Sequence, residues 1–392
     1  MRKISLDDVV LEKKSFAFGA SAHLTHGRLR AKALAKPTSM ATAAKADTDT
    51  EAEAEAESDE ARNRDGWIPV VVKTVNTKDR SEELRAEKDA YACLERGSTS
   101  VEHSHGKAKI RRVYGEIDES AGNRLVMERM DACLSDVLDG GHAEVSRWLP
   151  AAATTTAALM DMAEGLSALH ASGVAHCDVR PPNVLLSRDG ARDISSISPW
   201  KPVDQEQNQE REFPPTSHAK VADLGTSDRI GARFEPDYVH RRSKLVHLTA
   251  DRTASPHIDV HGLGVIILEM LSARNVGTRS ELTMVRRALE ADIAHYNDLH
   301  EKASRECCQE EPRPPSESTS HDQVLPVRGM RLLRKRPRTS ISWLRPALAN
   351  DMLVTNELWD VAVACLHEDP ASRPSMESVL DRLAFAGALA WF

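Results

Sequence analysis

No CxxC pair occurs among the six cysteines, Cys93, Cys133, Cys177, Cys307, Cys308 and Cys365, and none has a histidine at metal-site spacing. That excludes zinc-ribbon and zinc-finger frameworks and reads as free thiols in a reducing compartment. Long apolar runs are also missing. The longest, GLGVIILEML (262–271) and LAFAGALAWF (383–392), are too short to cross a bilayer. The opening MRKISLDDVVLEKK turns acidic before any apolar core appears, so it does not read as a signal peptide. Basic charge is not in excess either. A net charge of −8 gives no general affinity for nucleic acid or anionic membrane. No internal repeat is visible. The expectation is a soluble, intracellular, cytoplasmic protein with no nucleic-acid or membrane partner. The basic run RLLRKRPR (331–338) reads first as a solvated loop and second as a nuclear localisation signal.

At 392 residues the chain is long enough for two lobes with extra loops. Residues 6–29 alternate in a strand-like way. Residues 30–64 are rich in Ala, Thr and Glu and hold no large apolar residue beyond Leu34 and Met40, so they cannot bury a core. VVVKTV (70–75) reads as a buried strand. SEELRAEKDAYACL (81–94) reads as a helix capped by Ser81, with Leu84, Ala90, Tyr91 and Leu94 on its apolar side. RLVMERM (124–130) is a further strand leading into a connector. AALMDMAEGLSALHASG (157–173) is a long helix with Leu159, Met162, Leu166 and Leu169 on one side, stopped at Gly173. VLL (184–186) and AKVADLG (219–225) have strand character and flank a soft segment, 188–217. A third polar segment spans 301–340. ELWDVAVACL (357–366) and MESVLDRLAFAGAL (376–389) close the chain as helices. HSH (103–105) reads as part of a polar surface loop.

The stretch HCDVRPPNVLL (176–186) places an Asp and an Asn five residues apart, with an Arg between them, just before an apolar run. Taken with distant residues it completes a set: Lys73, Glu87, Asp178, Arg180, Asn183 and Asp223. Phosphoryl transfer from ATP needs a cation on the α- and β-phosphates and a carboxylate to hold that cation. It also needs two oxygen ligands for Mg²⁺, a carboxylate to orient the attacking hydroxyl, and a cation on the transferred group. Lys73 and Glu87 fit the first pair, Asn183 and Asp223 the metal ligands, and Asp178 and Arg180 the last two.

These motifs resemble the eukaryotic protein kinase family. VVVK matches its strand-lysine motif, HCD-V-R-P-P-N its catalytic loop, and DLG its metal-binding motif. SPHIDVHGLGVIILEML (255–271) resembles the buried central helix with its leading Asp259, and CLHEDPASRPSMESVL (365–380) the last helical turn with Arg373. The resemblance implies an α+β, two-lobed fold over the whole chain. The small β-rich N-lobe would span about 5–130 with the 30–64 insert, and the larger helical C-lobe about 131–392 with inserts 188–217 and 301–340. It implies Met127 as gatekeeper, the backbone from Glu128 to Met130 as the adenine-binding hinge, and Leu24, Val71 and Leu185 as the apolar sandwich around the ring. Tyr91, Leu224 and His176 would stack in a column linking the lobes. ATP and Mg²⁺ are the implied cofactors and a protein the implied substrate.

Several positions depart from the family pattern. AFGASAHL (17–24) lies over the glycine-rich loop, where only Gly19 survives and Ala17 and Ala22 replace the other glycines. Val71 stands for the usual Ala and Cys177 for the usual Arg, so loop phosphorylation is not expected to be the main switch. Arg180 stands for the Lys of Ser/Thr kinases, with Pro181 keeping that pattern. No APE motif is found, and Arg373 has no assigned carboxylate. The expected function is transfer of the ATP γ-phosphate to a Ser/Thr hydroxyl. The alternatives are a pseudokinase acting as a nucleotide-binding or scaffold module, and a small-molecule kinase on a related fold.

Overall fold

The computed structural model describes residues 1–18, 22–34, 66–75, 81–96, 101–117, 124–188, 217–234, 252–309 and 342–390. Period-two patterning at the start of the chain produces β1 (Val9–Phe18) and β2 (Ala22–Arg30). The β-branched run forms β3 (Trp67–Val75). Then come α1 (Ser81–Arg96), α2 (Val101–Ala108), β4 (Val113–Ile117) and β5 (Arg124–Glu128). The five strands make one antiparallel sheet in the order β1-β2-β3-β5-β4. Alternation along β3 splits its residues between two faces. Val70 and Val72 join Ile4, Val9, Leu29, Ile117 and Val126 in a cluster on one face. Val71 and Lys73 take the other, which α1 covers by packing Leu84 against Leu125 and Met127.

The C-terminal half is mostly helical. β6 (Ala132–Cys133), α3 (Leu134–Asp139) and α4 (Gly141–Trp148) lead to α5 (Ala152–Ala171) and β7 (Val174–Ala175). β8 (Val184–Arg188) and β9 (Ser217–Val221) join β6 in a small sheet, and β10 (Asp228–Arg229) pairs with β7. α6 (Pro256–Ser272), α7 (Arg279–Gln309), α8 (Pro346–Ala349), α9 (Met352–Cys365) and α10 (Met376–Leu389) complete the chain. In α6, 14 of 17 residues are buried, which makes it the axis of the largest core. Ser255 caps it by accepting from the His257 amide, and Pro256 sits at its first position. Its backbone approaches its neighbours closely: a Cβ on Gly262 would lie 2.6 Å from the Val179 carbonyl oxygen. The arrangement is α+β, a β-rich N-terminal region on a helical C-terminal region. The same large core includes Ala90, Tyr91, Leu94 and Leu224, so it reaches α1 and joins the two halves.

Three expectations need correction. The long helix begins at Ala152, five residues before the apolar pattern. There Thr154, Thr155 and Thr156 hydroxyls donate back to the Ala151 and Ala152 carbonyls, so a threonine run of modest propensity is helical and buried. Residues 101–108, including HSH, are helix rather than loop. The third polar segment does not start at 301, because α7 continues to Gln309. Ion pairs Asp298–Lys302 and Glu301–Arg305, one turn apart, support a stretch that has no apolar signal. Residues 35–65, 189–216 and 310–341 lie outside the described residues, and with them most of the three soft segments and the basic run.

Candidate phosphate-transfer site

β3 delivers Lys73 to the face covered by α1. On α1, Glu87 lies one turn past Leu84 and therefore on the same buried side. Lys73 Nζ is 2.8 Å from Glu87 Oε2 and 2.8 Å from Asp223 Oδ1, although Asp223 is 150 residues away in sequence. Burial alone would lower the Lys73 pKa, but the two carboxylates outweigh it and hold the ammonium well above its ordinary range. Glu87 is fully buried, and desolvation lifts its carboxyl against the pull of Lys73. Asp223 is also pushed up by desolvation, yet the Lys73 ammonium prevails and its pKa is lowered. Its backbone is left-handed (φ 61°), which turns the carboxylate out of β9 toward the lysine. Its side chain is 52% exposed, so the carboxylate faces an open cleft.

Below it, the loop between β7 and β8 is fixed from inside. Asp259, at the start of α6, accepts from the His176 amide (2.8 Å), the Cys177 amide (2.7 Å) and His170 Nε2 (2.8 Å). His176 sits 3.0 Å from the Ala222 carbonyl through Nε2, next to Asp223, and its Nδ1 accepts from the Asp178 amide at 3.2 Å. Asn183 Nδ2 donates to the Asp178 carbonyl (2.8 Å) and to Asp178 Oδ2 (3.0 Å). Arg180 Nε donates to the same Oδ2 at 3.1 Å. Desolvation raises the Asp178 carboxyl above its ordinary value, in spite of Arg180. Cys177 is completely buried with φ 65°, so the residue standing for an arginine is a packed core thiol.

Among the described residues no three His, Cys, Asp or Glu side chains cluster as a metal cage. The available donors are the Asp223 carboxylate and the Asn183 amide oxygen. The Asn183 NH₂ is turned to Asp178, which orients that oxygen away from it. A partial oxygen shell of this kind suits Mg²⁺, which keeps several waters and takes phosphate oxygens. Around the cleft, Val71 is buried, Leu24 and Leu185 are half-buried, and Met127 is buried beside Leu125. Val71 pairs with Met127 and Leu24 with Lys73 in the sheet. Met130 lies just past the last strand pair, half-buried. Gly19 lies outside the described residues, as does the stretch where APE was sought. Arg373 donates to the carbonyls of His367 (2.9 Å), His257 (2.8 Å) and Glu368 (3.4 Å).

Two residues were missed by sequence reasoning. Arg111 Nε donates to the Glu128 carbonyl at 3.0 Å, and Lys220 Nζ is 2.8 Å from both Glu128 carboxylate oxygens. In KIRRVYG (109–115) Arg111 is the first of two adjacent arginines, and nothing in the sequence distinguishes it from its neighbour.

The sequence model of the protein kinase domain matches residues 56–385. The chain belongs to the protein kinase family. Its two-lobed α+β architecture is that of this family's fold. The chain is also similar to the serine/threonine-protein kinase PknL of Mycobacterium tuberculosis, strains CDC 1551 / Oshkosh and ATCC 25618 / H37Rv, and of Mycobacterium bovis. Each is 27% identical over 138 residues. That match covers 35% of this chain and 29% of the length of those relatives. Among the described residues no helix is long and apolar enough to cross a membrane.

Proposed function

We propose that this kinase transfers the γ-phosphate of ATP to a Ser or Thr hydroxyl of a protein substrate. The observation that carries the proposal is the position of Lys73 Nζ, 2.8 Å from both Glu87 and Asp223. A lysine so held stays charged, with buried Glu87 fixing it from the protein side and Asp223 facing the cleft. When bound, Mg-ATP supplies the phosphoryl group and the metal charge. The chain supplies the rest. Leu24, Val71 and Leu185 enclose the base, and the backbone near Met130 offers it a polar edge. Asn183 and Asp223 hold the metal. Asp178 orients the substrate hydroxyl and accepts its proton, and Arg180 offsets charge on the transferred group. The similarity to a serine/threonine-protein kinase supports the acceptor class, as does Pro181.

The test is phosphate incorporation into a generic protein substrate beside a nucleotide-dependent thermal shift. Asp178→Asn is expected to lower transfer by about 10²–10⁴-fold while sparing the thermal shift. Equal transfer by variant and parent overturns the role of Asp178. A second reading, a nucleotide-binding or scaffold module without turnover, is favoured by the loss of glycines at Ala17 and Ala22 and by the buried Val71 and Cys177 in place of the family's usual residues. Labelling by the parent that Lys73→Met abolishes excludes that reading.

A further inference from the structure

Phosphate transfer makes no use of the charge at the back of the cleft. Arg111 sits between α2 and β4 and is only 8% exposed. Its backbone is fixed from two sides. The amide donates to the Val221 carbonyl (2.8 Å), and the Tyr91 hydroxyl donates to its carbonyl (3.0 Å). It is thus rooted on the end of β9, the strand that leads to Asp223, and reaches toward the hinge. Its single side-chain hydrogen bond among the described residues is the one from Nε to the Glu128 carbonyl. The charges of Glu87, Glu128 and Asp223 offset its own at longer range.

Glu128 is consequently engaged at each of its polar groups. Its amide donates to the Arg112 carbonyl (2.9 Å), and its carboxylate holds Lys220 and accepts from the Arg112 amide (3.2 Å). Its carbonyl has the guanidinium beside it. Arg129 and Met130 lie past the sheet ladder, so the hinge backbone becomes available only there. A purine entering this cleft meets a cationic donor beside the first hinge carbonyl, not a bare acceptor. The 6-amino group of adenine is a donor and is mismatched with it. The 6-oxo group of guanine or hypoxanthine is an acceptor and matches the guanidinium N–H groups. In a desolvated slot such a mismatch is discriminated strongly, because the unpaired groups lose water without gaining a partner.

We infer that Arg111 sets the base preference of the cleft, favouring a nucleotide with an oxo group at purine C6 over one with an amino group. The inference rests on the nucleotide-binding reading of the cleft. Competition binding of ATP, GTP and ITP to the full chain in Mg²⁺ buffer tests it. ITP separates the change at C6 and N1 from the 2-amino group, since hypoxanthine lacks the 2-amino group of guanine. ITP and GTP are expected to bind at least as tightly as ATP. Arg111→Val and Arg111→Met are expected to move the ratio toward ATP by about tenfold or more. A parent that prefers ATP tenfold over ITP overturns the inference, and that ratio is read without any variant. So does a ratio that neither substitution changes in a folded protein. Nucleotide binding without phosphate transfer defeats the enzymatic proposal and leaves the base ratio to decide this one. Absence of binding by all three nucleotides, to parent and variants alike, defeats both.

Discussion

Asp178 and Asp259 lie on two sides of one loop, both buried, and their carboxyls are shifted in opposite directions. Asp259 has no exposure and collects three short hydrogen bonds from His170, His176 and Cys177. Desolvation pushes its carboxyl up, but these donors prevail and hold it below the ordinary range. Among the described residues Asp178 collects only Arg180 Nε and Asn183 Nδ2, both on one oxygen. Desolvation prevails there and the carboxyl is held above the ordinary range. Burial is similar and the residue type identical, so the sign is decided by the donors, with the Asp223 charge adding to the rise at Asp178. A saturated carboxylate is an anchor for backbone. An unsaturated one keeps an oxygen for a group arriving from outside.

Converting each to Asn sets the two against each other. Asp259→Asn replaces an acceptor by NH₂ and leaves a buried backbone N–H facing a donor. A loss of about 3–5 kcal/mol of folding stability is expected, read by urea unfolding. Asp178→Asn is expected to cost about 1 kcal/mol or less, with its damage confined to transfer. The reverse order of stabilities would break the comparison. pH sharpens it. A depressed pKa contributes stability that is present above the unfolded value, about 3.9 for Asp, and lost as pH falls toward the folded one. The gap between parent and Asp259→Asn should therefore close below about pH 4.

The next effect acts through the helix that carries the anchor. Gly262 lets α6 touch the loop backbone, and a Cβ there would meet the Val179 carbonyl oxygen at 2.6 Å and the Val179 Cβ at 2.7 Å. Neither is the flexible end of a side chain. Gly262→Ala should cost about 1–3 kcal/mol and slow transfer, because the loop between Asp178 and Arg180 must shift. Stability lost with transfer unchanged would mean that the loop follows the helix without disturbing Asp178.

The motif residues were legible in the sequence because each sits at a marked place. Lys73 ends a β-branched run, Glu87 lies on the apolar side of a helix, and Asp223 follows a strand and precedes a glycine. The central helix was legible for the same reason, an apolar run with a cap and a proline at its start. Arg111 was not, because a charged residue in a short connector carries no periodicity, and only tertiary placement shows that it is buried. The early start of α5 was hidden by threonines whose hydroxyls bond back to the helix. The end of α7 was hidden by a composition shared by loops and by solvated helices. Arg373 was left without a partner because sequence reasoning sought a carboxylate, whereas backbone carbonyls, which no motif records, hold it.

Glu269 extends the comparison to a single donor. It lies ten residues past Asp259 on α6 and is 1% exposed. Only the Val276 amide donates to it, at 2.7 Å on Oε1, and Oε2 has no partner among the described residues. Burial pushes its carboxyl up to about 8. A cavity of about 390 Å³, which His261, Asn275 and Arg180 also line, lies beside it. A raised pKa works in the opposite sense to that of Asp259. The stability it confers is complete below the unfolded value, near 4.3, and is lost as pH rises toward 8. Glu269→Gln keeps an acceptor for Val276 and removes the titration. The variant should therefore gain on the parent by about 2 kcal/mol between pH 5 and pH 8, a value discounted from about 1.4 kcal/mol per pKa unit for relaxation around the charge. Denaturant unfolding at the two pH values reads the difference. A gap that stays constant would mean that the carboxylate finds water or a cation in the cavity, and donor count would then no longer order the three acids.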